Sequence, residues 1–258
     1  MLVTSFLSGS CQPDFLFLLM ALPFFYVGDY DPSSSGIILD EENSRHIVQV
    51  LRMKKGEKLN LTDGKGHLFT GVIIEDNKKH CAVVVESPIH IPKWGGTLAI
   101  GISLLKNSNR FEWFLEKAAE IGVDEIIPLI CERTEKEKFR HDRMHTILVS
   151  AMLQSQQCWL PVLHEPISYQ LLFRQEEIAN ISDRFIAHCA EQEKSTLVGF
   201  INQGHLSKII LIGPEGDFTM EEIDLALRHQ FKPVSLGQTR LRAETAGVVA
   251  ASILKMNN

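Results

Sequence analysis

From residue 98 onward, short apolar segments alternate with amphipathic ones, and this alternation constrains the fold more than any other feature. Apolar runs bounded by turn residues predict buried strands, and apolar residues three and four positions apart predict helices. The predicted strands cover residues 98–105, 124–130, 184–190, 208–212 and 234–236, and the predicted helices cover residues 110–121, 141–156, 220–229 and 244–256. Strands that alternate with helices predict an α/β domain with a mainly parallel sheet, which we place at residues 91–258.

A different pattern precedes this domain. Short β-type runs interrupted by one helix predict a small β-barrel, which we place at residues 21–90. The predicted strands cover residues 24–27, 36–39, 58–62, 67–74 and 81–86, and the predicted helix covers residues 41–53. Residues 87–96 contain two prolines and two glycines, so we interpret them as the linker between the domains.

Residues 1–20 are interpreted as an N-terminal extension that need not be native, with Met20 as an alternative start. The apolar run at residues 15–27 is broken by Pro23 and is short for a membrane span. Residues 1–10 contain no basic residue, which a secretory signal would need. The five cysteines are widely spaced and form no Cys-x-x-Cys motif, which argues against a disulfide framework and a zinc knuckle. We therefore expect a cytoplasmic protein with no membrane partner and no metal.

The net charge limits how the chain could bind a nucleic acid. It has 26 Lys and Arg residues against 32 Asp and Glu residues, a net charge of −6, so any such contact needs a local basic patch. One basic cluster surrounds the predicted barrel helix, and its members are the candidate RNA-binding residues: Arg45, His46, Arg52, Lys54 and Lys55. The same cluster is compatible with a solvated helix end whose charge is balanced by nearby glutamates.

Two glycine-containing loops follow two late predicted strands. Gly213-Pro-Glu-Gly216 follows the strand at 208–212, and Thr219 with Glu222 forms a capping box at the next helix. Residues 236–246 follow the strand at 234–236 and contain two arginines. Open α/β sheets bind ligands where strands end, although each loop alone is compatible with a plain connection. Neither loop is a Walker A or dinucleotide fingerprint.

The order and spacing of several motifs identify a resemblance that covers residues 24–254. The motifs are HIVQVLRM at 46–53, FEW at 111–113, EKAAEIGV at 116–123, CER at 131–133, GPEG at 213–216, LG at 236–237 and LRAETA at 241–246. The chain resembles the RsmE-type 16S rRNA uridine-N3 methyltransferases of the SPOUT superfamily. The resemblance implies a PUA-like β-barrel followed by a knotted (trefoil) SPOUT methyltransferase domain.

The resemblance also implies the reaction, the cofactor and the partners. It implies methylation of N3 of a specific uridine in 16S rRNA of the small ribosomal subunit, with S-adenosyl-L-methionine as cofactor, by a homodimer. The cofactor-binding residues carried over from it are Leu211, Ile212, Gly213, Glu215, Gly216, Leu236, Gly237, Leu241, Arg242, Thr245 and Ala246.

Removal of the N3 proton leaves a uridinate, which a nearby cation would stabilise. We expect Arg242 to be that catalytic cation and Glu244 to orient Arg242 or to accept a proton. Glu215 is a further candidate for the base. Two segments depart from the family pattern: Cys158 and Trp159 stand in a region where an arginine is often found, and Asp217 stands where glycine is common.

Three other functions remain open from the sequence. They are ribose 2′-O-methylation of rRNA or tRNA, a non-catalytic role as an RNA-binding ribosome-assembly factor, and an α/β enzyme that acts on a small metabolite.

Overall fold

The computed structural model describes residues 22–28, 30, 36–93, 96–135, 138–191, 193–200 and 207–256. The proposed N-terminal extension lies outside these residues. The described residues divide into two compact units, one within residues 1–92 together with 156–158, the other within residues 93–155 and 159–258. No helix in the described ranges is long and apolar enough to cross a membrane.

The first unit is built on a curved five-stranded sheet, in the order β1-β3-β4-β5-β2. The strands are β1 (Phe24–Tyr26), β2 (Gly36–Ile38), β3 (Lys58–Thr62), β4 (His67–Glu75) and β5 (Ala82–His90). β1 pairs parallel with β3, and the remaining pairs are antiparallel. Alternate residues of β3 and β4, among them Leu59, Leu61 and Phe69, are fully buried in one core. The five predicted strands of this domain are thus confirmed.

The linker was predicted to start too early. Residues 87–90 belong to β5 and pair with residues 67–70 of β4. Pro88 is accommodated there because β2 pairs with β5 only at residues 82–84, so no described strand pairs with Pro88 on that side of β5.

The helix predicted at residues 41–53 ends earlier in the structure, at residue 50, and changes from an α-helix to a π-helix. It begins as α1 (Glu41–Arg45), where the Asp40 carboxylate accepts a hydrogen bond from Asn43 N at 2.7 Å. It continues as a π-helix (His46–Val50), which the bond from Leu51 N to His46 O closes at 2.9 Å. Arg52 then turns the chain with a φ of +58°, so the helix ends before Met53.

The second unit is an α/β domain whose sheet has the order β11-β13-β10-β12-β6-β7-β8, with β9 also paired to β7. The strands are β6 (Leu98–Ser103), β7 (Glu125–Ile130), β8 (Val162–Leu163), β9 (Ile167–Ser168), β10 (Asp183–Ala187), β11 (Ser195–Thr196), β12 (Lys208–Ile212) and β13 (Lys232–Ser235). The helices are α2 (Ser108–Ile121), α3 (His141–Gln154), α4 (Tyr169–Leu172), α5 (Glu176–Ala179), a 3₁₀ helix (Leu197–Phe200), α6 (Met220–Arg228) and α7 (Ala243–Lys255). Every described strand pair in this sheet is parallel, which confirms the α/β prediction.

Two apolar layers enclose the sheet. Along β12, Ile210 and Ile212 pack into the core that includes α2, α3 and α7, and Ile209 and Leu211 pack into the core that includes α6. Because successive side chains of a strand point to opposite faces, a strand covered on both faces must be apolar throughout. This explains the uninterrupted run at residues 208–212.

Gly247 allows α7 to pack closely against α2 and β6. A Cβ atom at Gly247 would lie 2.6 Å from Cε2 of the buried Phe114 ring on α2 and 3.3 Å from Cδ1 of Ile102 on β6. Glycine therefore lets α7 approach both elements. This approach sets the position of the first turn of α7, where Ala243 and Ala246 line the pocket described below.

Candidate functional site

A pocket of about 570 Å³ lies at the carboxyl ends of the neighbouring strands β10, β12 and β13. Three loops line it: residues 187–189 after β10, residues 212–215 and Asp217 after β12, and residues 234–243 at the end of β13 and beyond. The volume is in the range of small-molecule sites, and the position is where open α/β sheets bind ligands. The two glycine loops singled out in the sequence thus meet in one cavity.

Two glycines shape the backbone of this pocket. Gly237 has a φ of +141°, which side chains rarely adopt, and a Cβ atom there would point into open space. Its carbonyl accepts a hydrogen bond from Ser235 Oγ at 2.8 Å. Gly213 is buried, and a Cβ atom there would lie 3.1 Å from both the ring and the backbone nitrogen of Phe218. A side chain at either position would disturb the loop that carries it.

Asp217 joins the β12 loop to the β10 loop. Its φ of +64° lies in the left-handed region, which explains why glycine is common at this position and why aspartate is accepted. Its carboxylate accepts hydrogen bonds from Cys189 N at 2.8 Å and from Phe218 N at 2.9 Å. The Asp217 side chain, which a glycine would lack, therefore connects the β10 loop directly to the β12 loop.

A second set of contacts supports the β12 loop from outside. The Arg133 guanidinium donates to Gly216 O at 2.7 Å, and Lys106 N donates to Glu215 Oε1 at 3.2 Å. The predicted capping box is present, since Thr219 and Glu222 exchange side-chain and backbone hydrogen bonds at the start of α6. These bonds hold the loop in one shape before any ligand binds.

The pocket wall combines apolar surface with charges of both signs. Ile212, Leu236, Leu241 and Ala246 supply apolar contact, and a buried histidine, His188, faces the cavity. The charged side chains on the wall are Lys194, Arg240 and Arg242 on one hand and Glu215 and Asp217 on the other. A ligand with an aromatic part and separate charged groups would suit such a wall.

Eight of the eleven residues expected to bind the cofactor line this pocket: Ile212, Gly213, Glu215, Leu236, Gly237, Leu241, Arg242 and Ala246. Leu211 lies inside the sheet and is fully buried in the core on the α6 side. Gly216 is exposed behind the loop, against Arg133, and Thr245 is half-buried in the first turn of α7. These three residues support the pocket wall rather than form it.

Glu244 does not stand where its expected role would need it. It is buried with 6% of its surface exposed, and it is not among the residues that line the pocket. Its Oε1 atom lies 3.7 Å from Arg110 Nε on α2. The geometry therefore pairs Glu244 with Arg110 and not with Arg242, which caps α7 on the exposed pocket rim.

The sequence reasoning missed the third loop. His188, Cys189 and Lys194 line the pocket, but the strand predicted at 184–190 placed the first two inside the sheet. β10 ends at Ala187, three residues earlier. Only the position of β10 in the sheet could have indicated this loop. β10 lies between β12 and β13, so it ends beside both glycine loops.

The candidate RNA-binding residues are all exposed on the first unit. Arg45 pairs with Glu41 at 2.8 Å, and Lys54 lies 3.6 Å from Asp76. His46 packs edge-on against the Phe25 ring with 5.7 Å between ring centroids. Within the described ranges, Arg52 and Lys55 form no ion pair. The cluster is thus partly neutralised by acidic neighbours and partly available.

The residues that replace the family arginine have packing roles. Cys158 is buried, and its carbonyl accepts hydrogen bonds from Gly66 N at 2.8 Å and Thr62 Oγ1 at 3.4 Å. Burial raises the pKa of the Cys158 thiol to about 11. Trp159 is half-buried, and Lys93 Nζ lies 5.1 Å from its ring centroid. Neither residue replaces the positive charge of an arginine.

The four described cysteines, Cys81, Cys131, Cys158 and Cys189, are free thiols. Among the residues that the structure describes, no three His, Cys, Asp or Glu side chains are grouped so that they could hold a metal ion.

Two family models match the chain. The model described as the RNA methyltransferase domain matches residues 93–255, and the model described as the RNA methyltransferase PUA domain matches residues 39–86. The first match includes the α/β unit and its pocket, and the second includes most of the strands of the first unit.

Named relatives and solved structures agree with these matches. A ribosomal RNA small subunit methyltransferase E from Synechocystis is 30% identical over 219 residues, which cover 83% of this chain and 71% of the relative. The crystal structure of a probable rRNA-methyltransferase from Porphyromonas gingivalis is 38% identical, covers 91% of this chain and 99% of its own, and has a TM-score of 0.83. A ribosomal RNA small subunit methyltransferase E from Neisseria gonorrhoeae, bound to S-adenosyl methionine, is 26% identical, covers 91% and 97% of the two chains, and has a TM-score of 0.80.

Proposed function

Since this chain belongs to the family of RNA methyltransferases that carry a PUA domain, we propose that it methylates N3 of a uridine in 16S rRNA of the small ribosomal subunit. S-Adenosyl-L-methionine is the proposed methyl donor. The observation that carries the proposal is the pocket at the ends of β10, β12 and β13, because eight residues assigned to the donor from sequence motifs line it together.

The pocket suits this donor in size and chemistry. Its volume of about 570 Å³ accommodates a nucleoside joined to an amino acid. Leu236, Leu241 and Ala246 offer apolar surface for the adenine, and the exposed Gly237 carbonyl, which accepts one bond from Ser235 Oγ, offers its second lone pair. The carboxylates of Glu215 and Asp217 offer negative charge for the cationic end. When bound, the donor supplies a methyl group that its own positive sulfur activates.

The residues of the chain then have to position the uridine and stabilise the charge left at N3. Arg242 is the proposed catalytic cation, since it lies on the exposed rim of the pocket at the start of α7. A fixed cation beside N3 lowers the cost of removing the N3 proton. Glu244 is proposed to act indirectly, by holding Arg110 against the first turn of α7. Glu215 remains the candidate base, because its carboxylate is on the pocket wall.

Uridine N3 lies on the base-pairing edge, so the target has to be unpaired or flipped out of its stack. The first unit is proposed to bind the surrounding RNA through Arg45, His46, Arg52, Lys54 and Lys55, which are exposed around the π-helix. Contacts of this kind neutralise phosphates and make binding sensitive to salt.

Assembly and topology are carried over from the family as proposals. The domains are proposed to divide near residue 90, and the second is proposed to contain the trefoil knot of SPOUT enzymes. We also propose a cytoplasmic homodimer. Trp113 supports the dimer, since it is 41% exposed on α2 beside the core that α2 and α7 share. Light scattering of the purified protein would give a mass twice that of the chain.

The proposed reaction is tested by incubating the protein with S-adenosyl-L-methionine and small ribosomal subunits that lack this modification, followed by nucleoside mass spectrometry. The expected product is 3-methyluridine, formed only when protein and donor are both present. A 2′-O-methylated nucleoside would leave the family assignment unchanged, but it would show that the target atom is the ribose 2′-oxygen and not N3. No methylated nucleoside, from protein that binds the donor and from subunits that a known enzyme of this class methylates, would contradict the proposal.

A further inference from the structure

The loop between β6 and α2 brings basic side chains to the same end of the sheet as the pocket. β6 lies next to β12 and pairs parallel with it, so the carboxyl ends of both strands are at one edge. The loop and the first turn of α2 carry Lys106 and Arg110. An RNA strand that presents a flipped base to the pocket keeps its phosphate groups outside it. Cations beside the pocket are therefore candidates to bind those phosphates.

This loop contacts both glycine loops of the pocket. Lys106 N donates to Oε1 of Glu215, which lines the pocket after β12, at 3.2 Å. Arg110 Nε lies 3.7 Å from Oε1 of Glu244, which follows the pocket-lining Ala243 in the first turn of α7. Arg110 is thus placed beside the pocket, on its β6 side.

The other carboxylates near Arg110 are occupied by different cations. Glu112, one half-turn further along α2, accepts two hydrogen bonds from the Arg143 guanidinium, at 2.6 and 2.7 Å. Glu135 pairs with Lys106 Nζ at 2.7 Å. These pairs satisfy Arg143 and Lys106, and they leave neither carboxylate to neutralise Arg110.

Glu244 is the one ion-pair partner that Arg110 has within the described ranges. The Glu244 carboxylate is buried, whereas the Arg110 side chain is 37% exposed. The contact is made at Nε, which leaves the N–H donors of both Nη groups for another acceptor. A guanidinium presents these donors as a planar fork that matches the oxygens of a phosphate. The buried carboxylate fixes one side of the fork, and the other side is open to a ligand.

We propose that Arg110 binds a phosphate of the RNA strand next to the target uridine, and that Glu244 is a positioning residue that holds the Arg110 guanidinium. This inference rests on the proposed function, because it takes RNA to be the substrate. It adds an RNA contact on the second unit to the candidate residues of the first. It also gives Glu244 a role that requires no contact with the pocket.

Steady-state methylation of small ribosomal subunits that lack the modification, at several salt concentrations, tests the proposal. Arg110→Ala should raise the KM for subunits roughly tenfold, the effect of one exposed charge-assisted hydrogen bond. Its kcat should stay within about twofold of wild type, because a phosphate contact is equal in the ground state and the transition state. The salt slope of log(kcat/KM) should be smaller by about 0.7, the value for one lost phosphate contact on a single strand.

Two other variants separate the charge from the fork and from its location. Arg110→Lys retains the charge but not the fork, so its salt slope should match wild type while its KM lies between those of wild type and Arg110→Ala. Arg228→Ala is the matched control, since Arg228 is exposed in the last turn of α6, which leads to the amino end of β13 at the opposite edge of the sheet. It should behave like wild type.

The positioning role of Glu244 is tested by a double-mutant cycle. Glu244→Gln retains the size of the side chain and removes its charge, and it should raise the KM for subunits about threefold because Arg110 loses its fixed direction. In the double variant Arg110→Ala/Glu244→Gln, the KM should be no higher than in Arg110→Ala alone. The double variant also removes the unpaired buried carboxylate that Arg110→Ala leaves, so it tests the phosphate contact even if the single variant does not fold.

Calorimetric titration of each variant with S-adenosyl-L-methionine completes the test, and donor affinity should stay within about twofold of wild type, as expected for a residue outside the donor pocket. A wild-type KM and salt slope in Arg110→Ala, or in the double variant, would overturn the phosphate contact while 3-methyluridine still forms. A loss of donor affinity as large as the rise in KM would overturn it too, since Arg110 would then support the pocket. Additive effects in the cycle would overturn the role of Glu244. Absence of methylation by wild type would instead refute the proposed function, and this inference with it.

Discussion

Asp217 offers the sharpest test of how the pocket is held together. The Asp217→Ala variant removes a carboxylate that accepts hydrogen bonds from Cys189 N at 2.8 Å and Phe218 N at 2.9 Å. It also places alanine at a φ of +64°, where a Cβ atom is unfavourable. The β10 and β12 walls of the pocket would then lose their direct connection.

The magnitude follows from these two effects. A hydrogen bond to a charged group contributes roughly 1.5–3 kcal/mol, and we take about 1 kcal/mol for each bond here because Asp217 is only half-buried. The left-handed conformation adds about 1 kcal/mol for alanine. Asp217→Ala should therefore lower the free energy of unfolding by about 3 kcal/mol. Asp217→Gly loses the bonds without that conformational cost and should lower it by about 2 kcal/mol.

Urea unfolding of the variants, with Asp224→Ala on the exposed side of α6 as the matched control, measures these differences. Calorimetric titration with S-adenosyl-L-methionine measures the pocket, and Asp217→Ala should bind about tenfold more weakly if about 1.4 kcal/mol of the loss falls on the bound state. If Asp217→Ala matches wild type in both measurements, the two loops are held by something other than this carboxylate.

Four other predictions concern the pocket and the RNA surface. Gly237→Ala should weaken donor binding severalfold by calorimetry, because residue 237 has a φ of +141° that alanine rarely adopts. Arg242→Ala should lower the turnover number more than the donor affinity in steady-state kinetics, since its proposed role arises in the transition state. Replacing Arg52 and Lys54 by alanine should weaken RNA binding in filter assays and reduce its salt slope by roughly 0.7–0.9 per lost phosphate contact. Cys189, exposed on the pocket wall, should react with iodoacetamide and be protected by bound donor.

Three of these predictions have a control or a contradicting outcome in the same experiments. Lys79→Ala, on an exposed turn of the same unit, should leave the salt slope unchanged. Equal losses of turnover and donor affinity would assign Arg242 to donor binding instead of catalysis. The Cys158 thiol, whose pKa burial raises to about 11, should stay unlabelled near neutral pH. Labelling of Cys189 that donor does not slow would place the donor elsewhere.

Much of the α/β unit follows from local signals in the sequence. The apolar run of β12 and the capping box of Thr219 and Glu222 were predicted where the structure places them. The helix predicted at residues 110–121 also ends where expected, since Gly122 has a φ of +87° and its N–H bonds back to Ala118 and Ala119. These features depend on residues close together in sequence, so their physical causes can be recognised without the fold.

Elements set by distant contacts were missed. β8, β9, β11, α4 and α5 each contain two to four residues, which is too short for a periodic pattern. The extension of β5 through Pro88 depends on how little of β5 is paired with β2. The π-helix comes directly before the left-handed turn at Arg52. None of these features is visible in the local sequence.

The site divides in the same way. The loops after β12 and β13 carry glycine motifs and were found, whereas the loop after β10 carries none and was missed. Glu244 follows Arg242 closely in sequence, which suggested a pair, but the start of α7 directs its carboxylate toward Arg110. Sequence proximity indicates a shared element, and the direction of a side chain depends on what packs against that element.

The most direct test of this account is a crystal structure of the protein with S-adenosyl-L-methionine. We predict that the donor lies among the three loops that end β10, β12 and β13, with the Gly237 backbone in contact with it. Donor density at any other place on the chain, with this pocket empty, would contradict the account.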